Sequence, residues 1–198
     1  MVSTLQETSE ELVVADHAAW RAWLDSQEDT SGGVWLLLAK KGTVSPTALT
    51  YAEALDEALC SGWIDGQKKG NDAATFRQRF TPRRPRSMWS VRNVEHVARL
   101  TDEGRMRPRG VREVDRAKAD GRWDRAYAGA ATAEVPDDLT AALHSAPGAQ
   151  ARFDALSGQD RYTLLHRLMT APNATVRTRR LDRLVEMLSR DDTVGSAH

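Results

Sequence analysis

A carboxylate, an amide and tryptophans lie close together in the stretch from Gly62 to Asn93. Asp65 stands two residues from Trp63 and from Gln67, so on an extended strand the three side chains point to one face. A carboxylate shielded by a tryptophan can act as a general acid or base, or accept a hydrogen bond from a ligand amine. The pattern therefore makes Asp65 a candidate ligand-facing residue, although by turn statistics an aspartate before a glycine more often caps the turn or pairs with an arginine.

Arginines follow on the next predicted strand. Arg77, Arg79 and Thr81 alternate along one of its faces, and Arg83 follows after Pro82. A guanidinium binds a carboxylate or a phosphate through two parallel hydrogen bonds, so this row is suited to an anionic ligand. A solvated or acid-paired arginine face is the alternative.

The predicted site combines these side chains with the start of the following helix. Tryptophans offer flat surfaces for stacking, although they also fill protein cores. We predict a cleft that binds a polar small molecule or a peptide, with Asp65 as the general acid or base if the protein is an enzyme. Binding and turnover both remain open. The predicted ligand-binding residues are Trp63, Asp65, Gln67, Arg79, Thr81, Arg83, Trp89 and Asn93.

The remaining reactive side chains argue against metal and cofactor sites. The five histidines have no ligand-like spacing. The single cysteine, Cys60, excludes an intrachain disulfide, and its place at the end of a predicted helix opposes a thiolate. Phosphate loops, dinucleotide fingerprints and nucleophile elbows are missing from the sequence. We expect no metal and no cofactor.

Charge is distributed unevenly along the 198 residues, although the formal net charge is zero. Residues 68–125 carry 17 basic and 8 acidic side chains, whereas residues 1–67 carry 3 and 11. An anionic partner would be steered to the basic middle of the chain, unless its charges complement the acidic first third within the fold. Arginines with aromatic residues between them also suit nucleic acid, but the zero net charge argues against that partner.

The N-terminus is polar and acidic, without the apolar run of a signal peptide. No stretch reaches the length of about 18 apolar residues that a membrane span requires. We therefore expect a cytoplasmic protein that does not insert into membranes. Nothing in the sequence indicates an oligomeric state.

Hydrophobic periodicity predicts an α+β fold, with a small, mainly antiparallel sheet packed with helices and an all-helical C-terminal unit after it. The Thr50 to Glu53 segment matches a capping box, and Pro108 fits the first turn of a helix through Ala119. We place one domain at residues 11–127 and the helical unit at residues 136–190. The predicted strands are residues 12–15, 34–39, 63–65 and 75–81.

Several motifs in the basic middle and just before it resemble the YdeI/OmpD-associated family, also called bacteriocin-protection proteins. They include Gly62 to Gln67, Arg79 to Ser87 and Ala117 to Trp123, within a resemblance that covers residues 33–127. The helical tail matches more loosely. Members often carry a lysine where this chain has Pro172 after Ala171. The resemblance implies a role in stress response and antimicrobial or antibiotic resistance, without an established biochemical activity.

Overall fold

The computed structural model describes residues 11–190 and divides the chain into two compact units. The first unit ends at Ser87 and resumes from Asn93 to Gly121, and the second comprises Met88–Arg92 and the chain from Arg122 onward. The architecture confirms the predicted α+β class. The strands are β1 Glu11–Leu12, β2 Val34–Ala39, β3 Trp63–Gly70 and β4 Thr75–Pro82. The helices are α1 His17–Gln27, α2 Tyr51–Cys60, α3 Val91–Asp102, α4 Pro108–Ala119, α5 Asp137–Ser145, α6 Ala149–Ala155, α7 Gly158–Met169 and α8 Ala174–Ser189.

The strands of the described residues form one mixed sheet in the order β1-β2-β4-β3, with β1 parallel to β2 and the other pairs antiparallel. Residues directly opposite in an antiparallel pair share a face. The β2 residues Val34, Leu36 and Leu38 therefore share a face with alternate β4 residues, starting from Phe80. This face forms a core with Trp20, Leu24, Ala54 and Ala58 of α1 and α2.

Strand β3, the first strand of the β3–β4 hairpin, is longer than its apolar residues indicate. We predicted a strand over residues 63–65 and a polar turn after it, but β3 continues to Gly70. The register shifts between Asp65 and Lys68, which marks a β-bulge. Beyond the bulge, the ammonium groups of Lys68 and Lys69 lie 4.4 Å and 4.3 Å from the ring centroids of Phe76 and Trp35. These contacts let a polar sequence remain in the sheet.

Local capping fixes the two helices that cover the sheet. Asp16 accepts a hydrogen bond from the Ala19 backbone at the start of α1. Thr50 and Glu53 form the predicted reciprocal capping box at the start of α2, so two orphan amides of the first turn are satisfied. The Glu53 pKa is lowered, mainly by its hydrogen bonds from Thr50.

A buried carboxylate on α2 holds the start of α4. Glu57 is 3% exposed and accepts hydrogen bonds from Arg105 Nη2 at 2.7 Å and from Arg107 Nη2 at 2.6 Å. Arg107, which is 8% exposed, also donates to the Ser61 hydroxyl, and its backbone amide donates to the Cys60 carbonyl. The residue before Pro108 is thereby fixed, and α4 begins against the end of α2.

Gly110 permits this close approach. A Cβ at this position would collide with the Cys60 carbonyl oxygen and would lie 2.8 Å from its carbonyl carbon. Both groups belong to the backbone, so neither can rotate away. Glycine at position 110 is therefore a packing requirement inside a helix.

The second unit is helical, apart from an isolated bridge between Ser90 and Tyr127. Its core gathers apolar side chains from α5 to α8. Ser157 and Asn173 cap α7 and α8 with side-chain hydrogen bonds. Within residues 11–190, no helix has the length and apolar character needed to cross a membrane.

We predict that Gly110→Ala destabilises the first unit by about 1–3 kcal/mol, because the added methyl group must displace backbone. Alanine ordinarily stabilises a helix relative to glycine by about 1 kcal/mol, so the sign of the change is diagnostic. Urea unfolding followed by tryptophan fluorescence measures it. Gly32→Ala is the matched control, since its Cβ would meet nothing within 4 Å. A stabilised Gly110→Ala protein would contradict the packing requirement.

Glu57→Gln should lower the free energy of unfolding by about 3–5 kcal/mol, because it leaves the buried Arg107 guanidinium with only the exposed Asp25 carboxylate, 3.3 Å away, as a counter-charge. Glu103→Gln removes a carboxylate from the exposed end of the same network and should cost much less. The same denaturation experiment compares the two variants. Equal losses would show that the buried pair does not hold α4.

Candidate functional site

The register between β3 and β4 separates Asp65 and Arg79, which we predicted to line one cleft. Asp65 lies opposite Phe80 and therefore faces the side of the sheet that packs on the helices. Arg79 lies opposite Trp35 and faces the other side. Adjacent residues of a strand point to opposite faces, so Asp65 and Arg79 do not line one cavity. The structure therefore does not bring Asp65 and Arg79 together on one face of the sheet.

Trp63 is a core residue. Its side chain is fully buried, and its indole N–H donates to the Glu28 carbonyl at 3.3 Å. The ring packs edge-on against Trp20 and Trp23, at centroid distances of 6.5 Å and 5.7 Å. This indole stabilises the junction of α1 with the sheet and offers no surface to a ligand.

Asp65 is half-buried and accepts a hydrogen bond of 2.8 Å from the Tyr51 hydroxyl. Tyr51 is the first residue of α2, so this bond ties β3 to the helix start. Gln67 is exposed and lies within the bulge region. The expected alignment of Trp63, Asp65 and Gln67 thus stops at the bulge.

The other predicted residues are distributed over both units. Thr81 and Arg79 are half-buried and pack over Gly33, where an added Cβ would lie 2.6 Å from Thr81 Cγ2. Trp89 belongs to the second unit and packs against Trp123 at a centroid distance of 4.9 Å. Asn93 is 9% exposed in the first unit.

Arg83 lies in a cavity of about 320 Å³ within the first unit. The cavity begins where α2 ends: Gly62 adopts a left-handed φ of 69°, and its carbonyl accepts from the Arg83 amide at 3.1 Å. Arg83 follows Pro82, the last residue of β4, and is 5% exposed. We call this site the arginine cavity, and its lining residues are Gly62, Arg83, Arg109, Arg112, Glu113 and Arg116.

Helix α4 supplies most of the lining. Arg109, Arg112 and Arg116 are spaced at i, i+3 and i+7, which places them on one helical face, and Glu113 lies between them. The contacts of Arg107 and Gly110 fix where α4 begins and therefore which face it turns toward Gly62. The buried network described above is what positions the site.

Two cavity arginines are held by protein acceptors. Arg109 Nε donates to Asp29 at 2.9 Å, and its Nη1 donates to the Ser61 carbonyl at 2.7 Å. Arg116 pairs with Glu113, which is 5% exposed. Arg112 is exposed and makes no hydrogen bond or ion pair within residues 11–190. Four guanidiniums thus share the cavity with one carboxylate.

This arrangement is suited to binding an anion. Guanidiniums stay protonated and donate in fixed forks, so they recognise carboxylate or phosphate rather than exchange protons. Burial raises the pKa of the Cys60 thiol to about 11, so this thiol is not a nucleophile at neutral pH. Among the described residues, no three His, Cys, Asp or Glu side chains cluster as metal ligands would.

The sequence predicts helix α4, but we did not predict the role of its arginines. Their i, i+3, i+7 spacing in residues 109–116 was a readable pattern. Nothing in the sequence showed that this face meets Arg83, because that contact depends on the packing of α4 against the end of α2. Of the predicted ligand residues, Arg83 is the one that lines this cavity.

Two family models match the chain. Residues 132–191 match the family described as "Bacteriocin-protection, YdeI or OmpD-Associated", which confirms the resemblance noted in the sequence. That match lies in the helical tail, whereas residues 12–113 match a domain of unknown function (DUF8412). No curated protein and no solved structure matches the chain. Since the model for residues 12–113 covers more than half of the 198 residues, the chain belongs to the DUF8412 family and carries a YdeI/OmpD-associated region at residues 132–191.

Proposed function

We propose that this protein captures a ligand that carries a phosphate or carboxylate group in the arginine cavity. The proposal rests on the lining of the cavity, which contains four arginines and one glutamate. Such an excess of positive charge inside a concavity attracts anions and holds them through charge-assisted hydrogen bonds. The ligand class is thus narrower than the polar molecule or peptide expected from the sequence.

The size of the cavity limits what it can hold. Its volume of about 320 Å³ lies near the lower end of the usual range for small-molecule pockets, about 300–1,000 Å³. A small anion fits, and so does the acidic end of a larger molecule such as a peptide. Arg112 is the group best placed to reach an incoming ligand, because its side chain is exposed and bound to no other described residue.

The chemistry of the lining supports capture rather than turnover. Glu113 is the one carboxylate in the lining, and it is paired with Arg116. A general base needs a lone pair that can reach the substrate proton, whereas this carboxylate is already engaged. Sequestration without chemical change would also serve bacteriocin protection, the role named in the description of the family matched by the tail.

We predict that Arg112→Gln weakens binding of inorganic phosphate about tenfold, because it removes a charge-assisted donor from the cavity. Calorimetric titration of the full chain at low and at physiological salt measures this change. The wild-type affinity should fall as salt rises, since the cavity is open to solvent and its charges are screened.

Arg86→Gln is the matched control for that titration. Arg86 is exposed, belongs to the same unit and does not line the cavity. Its phosphate affinity should equal that of the wild type. If neither phosphate nor acetate binds, or if Arg86→Gln weakens binding as much as Arg112→Gln, the arginine cavity is not the anion site.

Asp65→Asn should leave phosphate affinity within about twofold of the wild type, because Asp65 is bound to Tyr51 and does not line the cavity. Mass spectrometry of a phosphorylated peptide after incubation with the protein should recover the intact peptide. Product that forms with the wild type but not with Asp65→Asn would instead establish an enzyme with Asp65 as its acid or base.

A further inference from the structure

The second unit has a groove of its own between α7 and α8. Its volume is about 440 Å³, and it lies within the region that matches the YdeI/OmpD-associated family. The apolar side chains on its floor are Leu164 and Leu168 of α7, and Leu184 and Met187 of α8. They repeat at i, i+4 and i, i+3, but the three leucines are only 4%, 1% and 6% exposed, so the half-buried Met187 is the most accessible of them.

Three arginines line the same groove. Arg180 on α8 donates through Nη1 to the carbonyl of Arg167 at 2.6 Å, which satisfies an acceptor in the last turn of α7. The guanidiniums of Arg167 and Arg183 are exposed and make no hydrogen bond or ion pair with any described residue. An apolar floor is thus combined with two available positive charges and a third that is fixed in place.

We propose that this groove docks an acidic amphipathic helix of a protein partner. A helix presents apolar side chains at i, i+3, i+4 and i+7, so one such side chain can enter the groove against Met187 and the leucine floor. Acidic residues beside that stripe complement Arg167 and Arg183. Residues 180–187 of α8 extend over about 10 Å, so the partner contacts the groove with about two helical turns. This function is separate from anion capture in the arginine cavity.

The test uses the full chain and a designed peptide of about 15 residues, with leucines at i, i+4 and i+7 in an alanine-rich helix flanked by glutamates. A second peptide has lysine in place of each glutamate and keeps the leucines. Fluorescence anisotropy should show binding of the acidic peptide and at least about tenfold weaker binding of the basic peptide. The double variant Arg167→Gln with Arg183→Gln should weaken binding of the acidic peptide about tenfold.

Arg179→Gln is the control for the double variant, because Arg179 is exposed on α8 and does not line the groove. Its affinity for the acidic peptide should equal that of the wild type. Equal binding of both peptides, absence of binding, or no loss in the double variant overturns the proposal. Binding to phosphatidylglycerol vesicles without binding to the acidic peptide also overturns it, since the arginines would then recognise a lipid headgroup.

Discussion

The pairing of Glu57 with Arg105 and Arg107 is the interaction on which the first unit depends. A carboxylate and a guanidinium that are both removed from water are expensive to bury, and they are tolerated where each satisfies the other with good geometry. Here the carboxylate receives donors on both oxygens, at 2.7 Å and 2.6 Å. The pair also fixes the position of α4 relative to α2, since it links Glu57 of α2 to Arg107, the residue that precedes α4.

The arginine cavity follows from that link. Gly62 ends the turn after α2, Gly110 allows α4 to approach the Cys60 carbonyl, and the next turns of α4 then carry their arginines toward Arg83. The side chains that would meet a ligand are thus arranged by groups that never touch it. Because these side chains are already held in place, less conformational entropy is lost when a ligand binds.

Local features of the fold could be predicted from the sequence. Strand β2 has the predicted bounds, the capping box of Thr50 and Glu53 forms, and α4 runs from Pro108 to Ala119 as its terminal residues indicated. Alternation within β4 also placed Arg77 and Arg79 on the face opposite Phe80. Each of these features is set by neighbours within a few residues along the chain.

The site could not be predicted in the same way, because it depends on relations between distant segments. Which residue of β3 faces which residue of β4 follows from their register, and a bulge in residues 65–68 changes that register. Trp63 is a residue type that often contacts ligands, yet its neighbours in α1 bury it completely. Arg83 and Arg112 meet only through tertiary packing.

The boundary between the units has a consequence for how the chain could be divided. Met88–Arg92 is numbered within the segment that matches the DUF8412 family, yet it belongs to the second unit, where Trp89 packs on Trp123 and Ser90 bridges to Tyr127. A fragment that begins at Arg122 would contain Trp123 and Tyr127 but would lack Trp89 and Ser90, which contact them. The second unit is therefore not a continuous segment, and exchanging it between proteins would require moving Met88–Arg92 together with the chain from Arg122 onward.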